Sequence, residues 1–536
     1  MGSHGKFRSS LGDGDGRPIY LERSSSLALD NDSVLADEHA TDPVLLRGEF
    51  PEAGPEPPQE THKAFLRGKV RLFGHFVPVQ SLLLAGVEGG LFALLGLLSL
   101  NLASHLFHTV GVAQPLQATL IQSATIGVVL LLALVAVGLY SAHQRAELSG
   151  VISRTLVGFA GAAVVLQAVY WLAPGVAVAP SVLGVTLLLC LAAFAMVRPL
   201  FYHYVDASLL TRRVLVVGTG ERARSIEGLR RKSDQRGFRL VGFVNVSPQG
   251  KILVREDKVI HLQSQLCRYA LDHDVDEIVI AVDDRRQGAV PTNELLDCRM
   301  SGMDVTDILD FFERESGKIR LDLLRPGWLI HADGFKHNLV RDFAKRAFDL
   351  ALGTLLFAIT SPLMLLTALA IYIESGGKGT VLFRQKRVGK GGKEFELIKF
   401  RSMHMDAEKD GKPRWATPDD PRVTRVGRFI RLTRLDELPQ LWNVLRNDMS
   451  IVGPRPERPE FVRRLARREP LYRERHRVKP GITGWAQVRY PYGDSEEKSI
   501  RKLEYDLYYV KNHRLVFDLY ILIQTVEVVF FKKGAH

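Results

Sequence analysis

The residues best suited to chemistry in this chain are two adjacent acids, Asp436 and Glu437, in the run TRLDELPQLWNVLRNDMSIVGPRP from Thr433 to Pro456. Arg434 stands just before them, and Arg455 and Pro456 end the run in a Pro-Arg-Pro turn. An acidic pair among cations suits phosphate chemistry. A carboxylate attacks phosphorus only when metal or arginine charge offsets the repulsion between two anions. Neighbours on a helix point about 100° apart, so the two acids do not share one proton as a dyad. A division of labour follows, one acid attacking and the other holding a metal. Acids are also simply favourable at a helix start, so the pair depends on its surroundings for this reading.

Those surroundings are basic. VLFRQKRVGKGGKEFELIKFRSM reads as a β-hairpin turning at Gly389, Gly391 and Gly392. The run lacks Gly-x-x-x-x-Gly-Lys-Ser/Thr, so it is a turn and not a phosphate loop. Lys399 and Arg401 lie at the strand end nearest the acids and are candidate phosphate ligands, whereas most other basic side chains of the hairpin are read as solvated. PRVTRVGRFIRLTRLDELPQLWNVL then gives an arginine-studded amphipathic helix, a break and a second helix. Thr433 or Asp436 can cap that second helix, with Pro439 in its first turn.

The element that must carry this site is apolar. Ala347 to Ile373 is long enough to cross a bilayer. Arg341, Lys345 and Arg346 precede it, and Lys378, Arg384, Lys386 and Arg387 follow. Positive charge on both flanks asks for both ends in the cytoplasm. Ser361-Pro362 lies near the middle, where proline removes a helical hydrogen bond and bends the axis. A re-entrant helix over about 345–374 satisfies both facts. Four further apolar stretches, 80–103, 117–141, 155–173 and 180–197, read as spans. Arg145 and Arg154 lie between the second and third, and Lys63, Arg67, Lys69, Arg71, Arg198, Arg212 and Arg213 flank the set. The loops 104–116 and 174–179 carry no Lys or Arg, so both ends of the bundle are expected in the cytoplasm.

A net charge of +12 and a pI near 9.5 admit nucleic acid, anionic lipid or a phosphorylated substrate. The basic residues sit beside apolar segments, and neither an RNA-binding aromatic sheet nor zinc-finger spacing is seen. Nucleic acid is therefore excluded as a partner. Cys190, Cys267 and Cys298 form no disulfide framework. Residues 1–69 are rich in Ser, Asp, Glu, Gly and Pro and read as a disordered tail without a signal peptide. The arginine-rich run Arg463 to Lys479 suits contact with anionic lipid as well as a solvated face. The closing LVFDLYILIQTVEVVFF, interrupted by Asp518 and Glu527, suits an interfacial helix.

Between the spans and the site, RRVLVVGTGERARSIEGLRR, RLVGFVNV and DEIVIAVDD alternate strands with helices and imply a parallel sheet. Gly218 and Gly220 form a turn suited to a nucleotide. The second strand ends at Asn245-Val246, without the acid that grips a ribose, and no Tyr-x-x-x-Lys couple exists. A structural or regulatory Rossmann-like module fits better than a dehydrogenase.

In these stretches the chain resembles the bacterial sugar transferase family, the monotopic phosphoglycosyl transferases. The matching residues are FRQKRVGKGGKEFELIKFRSM, DPRVTRVGRFIRLTRLDELPQLWNVLRNDMSIVGPRPERPEF, KPGITGWAQV and KLEYDLYYVKN. RLFGHFVPV and VLVVGTGERA resemble the large branch, the exopolysaccharide polyprenyl glycosylphosphotransferases, extending the likeness to about 70–536. The resemblance implies transfer of a hexose-1-phosphate from a UDP-sugar to undecaprenyl phosphate, opening exopolysaccharide or capsule assembly. It makes Asp436 the nucleophile that expels UMP and forms a phosphosugar–aspartyl intermediate, and Glu437 a ligand of Mg2+. Ser361-Pro362 matches the family's helix break. Gly453-Pro454-Arg455-Pro456 matches a nucleotide-side element, and Arg489 a phosphate contact. Here Arg489 directly follows Val488, where many relatives place Asn before the basic residue.

The expected fold is a multidomain membrane protein of the bacterial inner membrane. After the tail come a four-helix transmembrane bundle (70–203), a Rossmann-like α/β module (204–338), and an α+β monotopic phosphoglycosyl transferase domain (339–536) on the cytoplasmic face. Membrane lipids are expected partners, and a bundle with an added module suits a homodimer. Two rivals are a membrane-anchored NAD-dependent nucleotide-sugar dehydratase, which leaves the last 200 residues unexplained, and a non-catalytic assembly scaffold, which leaves the intact acids unexplained.

Overall fold

The computed structural model describes residues 68–536 apart from 73–74, 107–114, 141–147, 206–210, 230–236, 247–250, 263–264, 284–289, 325–338, 406, 408–419, 491–494 and 532–536. The expected tail, save its last two residues, lies outside the described residues. A short antiparallel hairpin, β1 (Lys69–Leu72) with β2 (His75–Pro78), leads into α1 (Val79–Leu106). Helices α2 (Leu116–Ala136), α3 (Leu148–Leu172) and α4 (Pro180–Tyr204) follow. Helix α1 packs on α2 and α4, and α2 on α3. Each is apolar around most of its circumference, and Leu98, Val128, Val164 and Leu188 face outward. The buried Glu88 is paired with Arg198 at 3.2 Å, which a charge inside such a bundle requires.

Next comes a five-stranded parallel sheet of β3 (Arg212–Val217), β4 (Phe238–Val244), β5 (Val259–Ile260), β6 (Glu277–Ile280) and β7 (Asp304–Asp307). Their order is β5-β4-β3-β6-β7. Helices α5 (Glu221–Glu227), α6 (Leu266–Asp272), α7 (Thr292–Met300) and α8 (Ile308–Ser316) accompany it. Separate apolar clusters cover its two faces, which is why β3 reads as a continuous apolar run. Asp307 caps α8 by accepting from the Leu309 amide at 3.0 Å, and left-handed Gly317 ends it. From there the module is joined to the last third of the chain. Trp485 Nε1 donates to the Gly317 carbonyl at 2.8 Å, and buried Glu313 takes Lys511 and Asn512.

The last third begins with α9 (Leu339–Glu374), a 36-residue helix that remains helical through Pro362. A hairpin of β8 (Leu382–Val388) and β9 (Glu394–Phe400) follows, turning through positive-φ Gly391 and Gly392. Then come α10 (Arg425–Leu432), a 3-10 turn Leu435–Glu437, and α11 (Gln440–Leu445). Strand β10 (Ser450–Val452) pairs in parallel with β11 (Gly481–Thr483), and α12 (Pro459–Arg468) and a 3-10 stretch Pro470–Arg477 lie between them. Helices α13 (Trp485–Arg489), α14 (Glu496–Asn512) and α15 (Leu515–Phe531) complete the core around Tyr472, Trp485, Tyr508, Tyr509 and Phe517. Helix α15 also packs against α2.

Both ends of α9 seat on this last third of the chain, its start on the large core and its end on a smaller cluster. Near its start, Arg346 donates to the Val444 and Leu445 carbonyls at 2.7 and 2.9 Å, closing the C-terminus of α11. Asp349 accepts from Ser450 and the Ile451 amide. Near its end, Ile371 packs on Phe400 and Ile430, and Glu374 accepts from the Val426 amide in the first turn of α10. The opposite face of α9 exposes Leu355, Ile359, Leu365, Leu366, Leu369 and Ile373. Five described helices are long and apolar enough to cross a membrane, α9 among them.

Candidate active site

Asp436 and Glu437 are set by a backbone break. Thr424 caps α10 by accepting from the Gly427 amide at 2.9 Å. A Cβ on Gly427 would lie 2.0 Å from the Ser402 carbonyl, so only glycine lets α10 approach the chain end of the hairpin. After Thr433, Arg434 takes a left-handed conformation (φ 61°), an uncommon one for any residue but glycine. That reversal starts the 3-10 turn holding both acids. Neither Thr433 nor Asp436 caps α11 as expected: Pro439 occupies its N-cap, and Thr433 Oγ1 donates back to the Phe429 carbonyl. The turn is the tighter one because proline cannot donate within a longer helix.

The two acids have different environments. Asp436 is buried, 8% exposed, and has no ion-pair partner among the described residues. Burial, followed by the neighbouring Glu437 charge, pushes its carboxyl up to about 6 against the pull of Lys399, Arg431 and Arg455. Glu437 pairs with Arg455 at 2.6 Å and Arg434 at 3.7 Å. Its burial favours the neutral form, yet Arg455 first and then Arg434 and Lys399 outweigh that and hold the carboxyl below its usual range. Lys399 is pushed down to about 8 by burial and by Arg387, with Asp436 opposing.

Of the other candidates, Lys399 is thus within electrostatic reach of Asp436, and Arg455 joins Glu437. Arg401 instead donates to the Lys378 carbonyl at 3.4 Å and lies beside Met405. Arg489 stacks over the Trp485 ring at 4.5 Å, at the junction with the Rossmann-like module. Pro456 offers its carbonyl to Arg387 at 3.1 Å, so Arg387 is engaged with the turn and departs from the solvated reading of the hairpin. Ser361 and Pro362 lie inside α9, Ser361 donating to the Ala358 carbonyl.

Two residues of the site carry no mark in the sequence pattern strong enough to single them out. Arg431 lies five residues before Asp436, near the end of α10, and acts on it; its place in an arginine-studded helix gives no distinguishing signal. Fully buried Asn443 accepts from the Ile398 amide at 3.0 Å and donates to the Glu396 carbonyl at 2.7 Å. It fixes β9, and hence Lys399, to α11. A lone Asn in an apolar run is the available hint.

Gly218 and Gly220 form the turn between β3 and α5. A Cβ on Gly220 would sit 1.9 Å from Asp283 Oδ2. The Asp283 carboxylate accepts from the Glu221 and Arg222 amides, both at 2.9 Å. These amides are the ones a dinucleotide pyrophosphate would use in a Rossmann fold. The chain supplies that anion itself.

Among the described residues no three His, Cys, Asp or Glu side chains gather as a metal cage. One carboxylate beside a phosphate-bearing substrate is nevertheless a usual donor set for Mg2+, which keeps several waters. The Arg455 and Arg434 pairs of Glu437 both fall on Oε1, so Oε2 is the oxygen it would offer to Mg2+.

The bacterial sugar transferase model matches residues 340–532. An Aeromonas hydrophila UDP-N-acetylgalactosamine-undecaprenyl-phosphate N-acetylgalactosaminephosphotransferase is 40% identical over 238 residues, 44% of this chain and 55% of the relative. An Escherichia coli UDP-glucose:undecaprenyl-phosphate glucose-1-phosphate transferase is 44% identical over 199 residues, 37% of this chain and 42% of the relative. A Klebsiella pneumoniae protein of the same name is 33% identical over 357 residues, 64% of this chain and 74% of the relative. The chain therefore spans about half the length of the first two and most of the third. It belongs to the bacterial sugar transferase family.

Proposed function

We propose that this protein transfers a hexose-1-phosphate from a UDP-sugar to undecaprenyl phosphate at the cytoplasmic face of the inner membrane. The observation that carries the reading is the buried Asp436, outside any ion pair among the described residues, beside an arginine-held Glu437. An Asp436 oxygen attacks the sugar-bearing phosphorus; the bond from that phosphorus to the bridging oxygen breaks, and UMP leaves with the electron pair. An oxygen of undecaprenyl phosphate then attacks the same phosphorus and returns the carboxylate of Asp436. Glu437 would hold Mg2+, which supplies charge stabilisation at the phosphoryl oxygens when bound. Arg455, Arg431 and Lys399 offset the anionic charge that accumulates as two anions meet.

The acceptor carries its phosphate at headgroup height, and α9 brings the site there. Its two ends bond elements of the same last third of the chain, while its outer face is apolar. That arrangement supports a re-entrant helix, since a straight span would carry its ends to opposite sides. Names of the relatives support UDP-glucose and UDP-N-acetylgalactosamine as donors to try first. The test is a UDP-sugar screen for UMP release by the full-length protein with undecaprenyl phosphate and Mg2+. Mass spectrometry without the acceptor should find a phosphosugar adduct on Asp436. A screen with no UMP from any donor would refute the reading.

A further inference from the structure

The turn that presents Arg455 to Glu437 has little means of holding itself. Pro454 and Pro456 flank Arg455 and lack N–H groups. Among the described residues, backbone bonds hold its two ends: the Gly453 amide donates to the Thr483 carbonyl, the Gly481 amide to the Pro454 carbonyl, and the Val388 amide to the Glu457 carbonyl just past Pro456. Three cations add bonds along the stretch. Lys345 of α9 donates to the Val452 carbonyl at 3.2 Å, Arg475 to the Arg455 carbonyl at 2.8 Å, and Arg387 to the Pro456 carbonyl at 3.1 Å.

Arg475 is the most committed of the three. Its side chain is 5% exposed and bonds Asp506 of α14 at 2.8 Å, itself 4% exposed. Its other terminal nitrogen donates to the Tyr472 hydroxyl at 2.8 Å. Asp506 and Tyr472 thus fix a planar fork, and the terminal nitrogen that meets Asp506 also donates to the main chain of Arg455. Burying an ion pair is unfavourable unless geometry and further bonds compensate. This one is spent on the carbonyl of the residue that grips Glu437.

We propose that Arg475, locked by Asp506, is a positioning residue for the transfer reaction: it sets Arg455 on Glu437 through the Arg455 carbonyl. The inference rests on the proposed function, and it predicts coupling rather than mere loss. Small misplacements of a charged group at a reacting centre cost on the order of 100-fold in rate.

The experiment is a double-mutant cycle on full-length protein, reading kcat and KM for UMP release from UDP-glucose or whichever UDP-sugar the screen identifies. The variants are Arg455→Met, the neutral pair Arg475→Gln/Asp506→Asn, and all three changes together. The neutral pair avoids leaving one buried charge alone. The pair should lose roughly 10- to 100-fold in the same parameter as Arg455→Met, and the triple variant should lose no more than Arg455→Met. Arg475→Lys, which retains the charge for Asp506, should recover part of the pair's loss. Losses that multiply, or a pair with wild-type kinetics, would overturn the proposal. If the pair does not fold, Arg475→Lys alone and with Arg455→Met forms the same cycle. Wild-type protein inert with every UDP-sugar would instead defeat the functional reading.

Discussion

Arg455 closes on Glu437 at 2.6 Å, whereas Asp436, one residue earlier, meets no ion-pair partner among the described residues. The neighbours are thus prepared for different work. A nucleophile has to keep a lone pair available, and a carboxylate held by arginine has given up part of that availability. Asp436→Asn should reduce UMP release at least 1,000-fold, roughly the cost of losing a covalent nucleophile, with a circular dichroism spectrum like the wild type. Wild-type turnover in the Asn variant would exclude the covalent route.

Glu437→Gln keeps the shape of the side chain but weakens its pairing with Arg455 and its hold on a metal. The expected outcome is a higher Mg2+ concentration for half-maximal UMP release, together with a lower kcat. A variant with an unchanged Mg2+ dependence would remove Glu437 from the metal site.

Asp436 should also govern stability in the metal-free protein. Its folded carboxyl is raised to about 6, above the unfolded value of roughly 3.9. The folded state therefore binds the proton more tightly, and this contribution is fully present below about pH 4. It is lost as pH rises through about 6. Asn cannot ionise, so in EDTA at pH 7.5 Asp436→Asn should gain up to about 3 kcal/mol relative to wild type. The difference should vanish near pH 4. Urea melts at the two pH values measure it, and equal stability at pH 7.5 would show that the carboxylate is not strained.

Much of the fold is legible in the amino-acid sequence because the signals are local. Alternating strands and helices mark the parallel sheet, and the glycines at 389, 391 and 392 mark a hairpin that turns through two positive-φ residues. The acidic pair is visible as well. Long-range geometry is what the sequence conceals. Arg401 and Lys399 lie two residues apart on one strand run, yet only Lys399 is within reach of Asp436, because Arg401 lies past the end of β9 and turns to Lys378. The left-handed Arg434 is also hidden, since nothing about arginine predicts positive φ. Asn443 and Arg475 act across 45 and 20 residues, distances over which periodicity says nothing.

The re-entrant reading of α9 has a direct test. Thr380 lies just past the helix end, before the hairpin. In a cysteine-free background, Thr380→Cys should resist a membrane-impermeant maleimide applied from the periplasm and react after permeabilisation. Efficient labelling of intact cells would make α9 a fifth span and put the acids outside.

The Rossmann-like module separates the family reading from the dehydratase rival. Asp283 holds the Glu221 and Arg222 amides, and it lies where Gly220 leaves room for nothing larger than hydrogen. A pyrophosphate would have to displace a carboxylate that is covalently part of the chain and never diffuses away. NAD and NADH should therefore produce no saturable signal in isothermal calorimetry with the full-length protein. Asp283→Ala removes two exposed capping bonds and should cost about 1 kcal/mol of stability in that module. If wild-type protein binds NADH with micromolar affinity and Asp283→Ala does not improve it, the carboxylate is not the obstacle, and the nucleotide enters the module by another route.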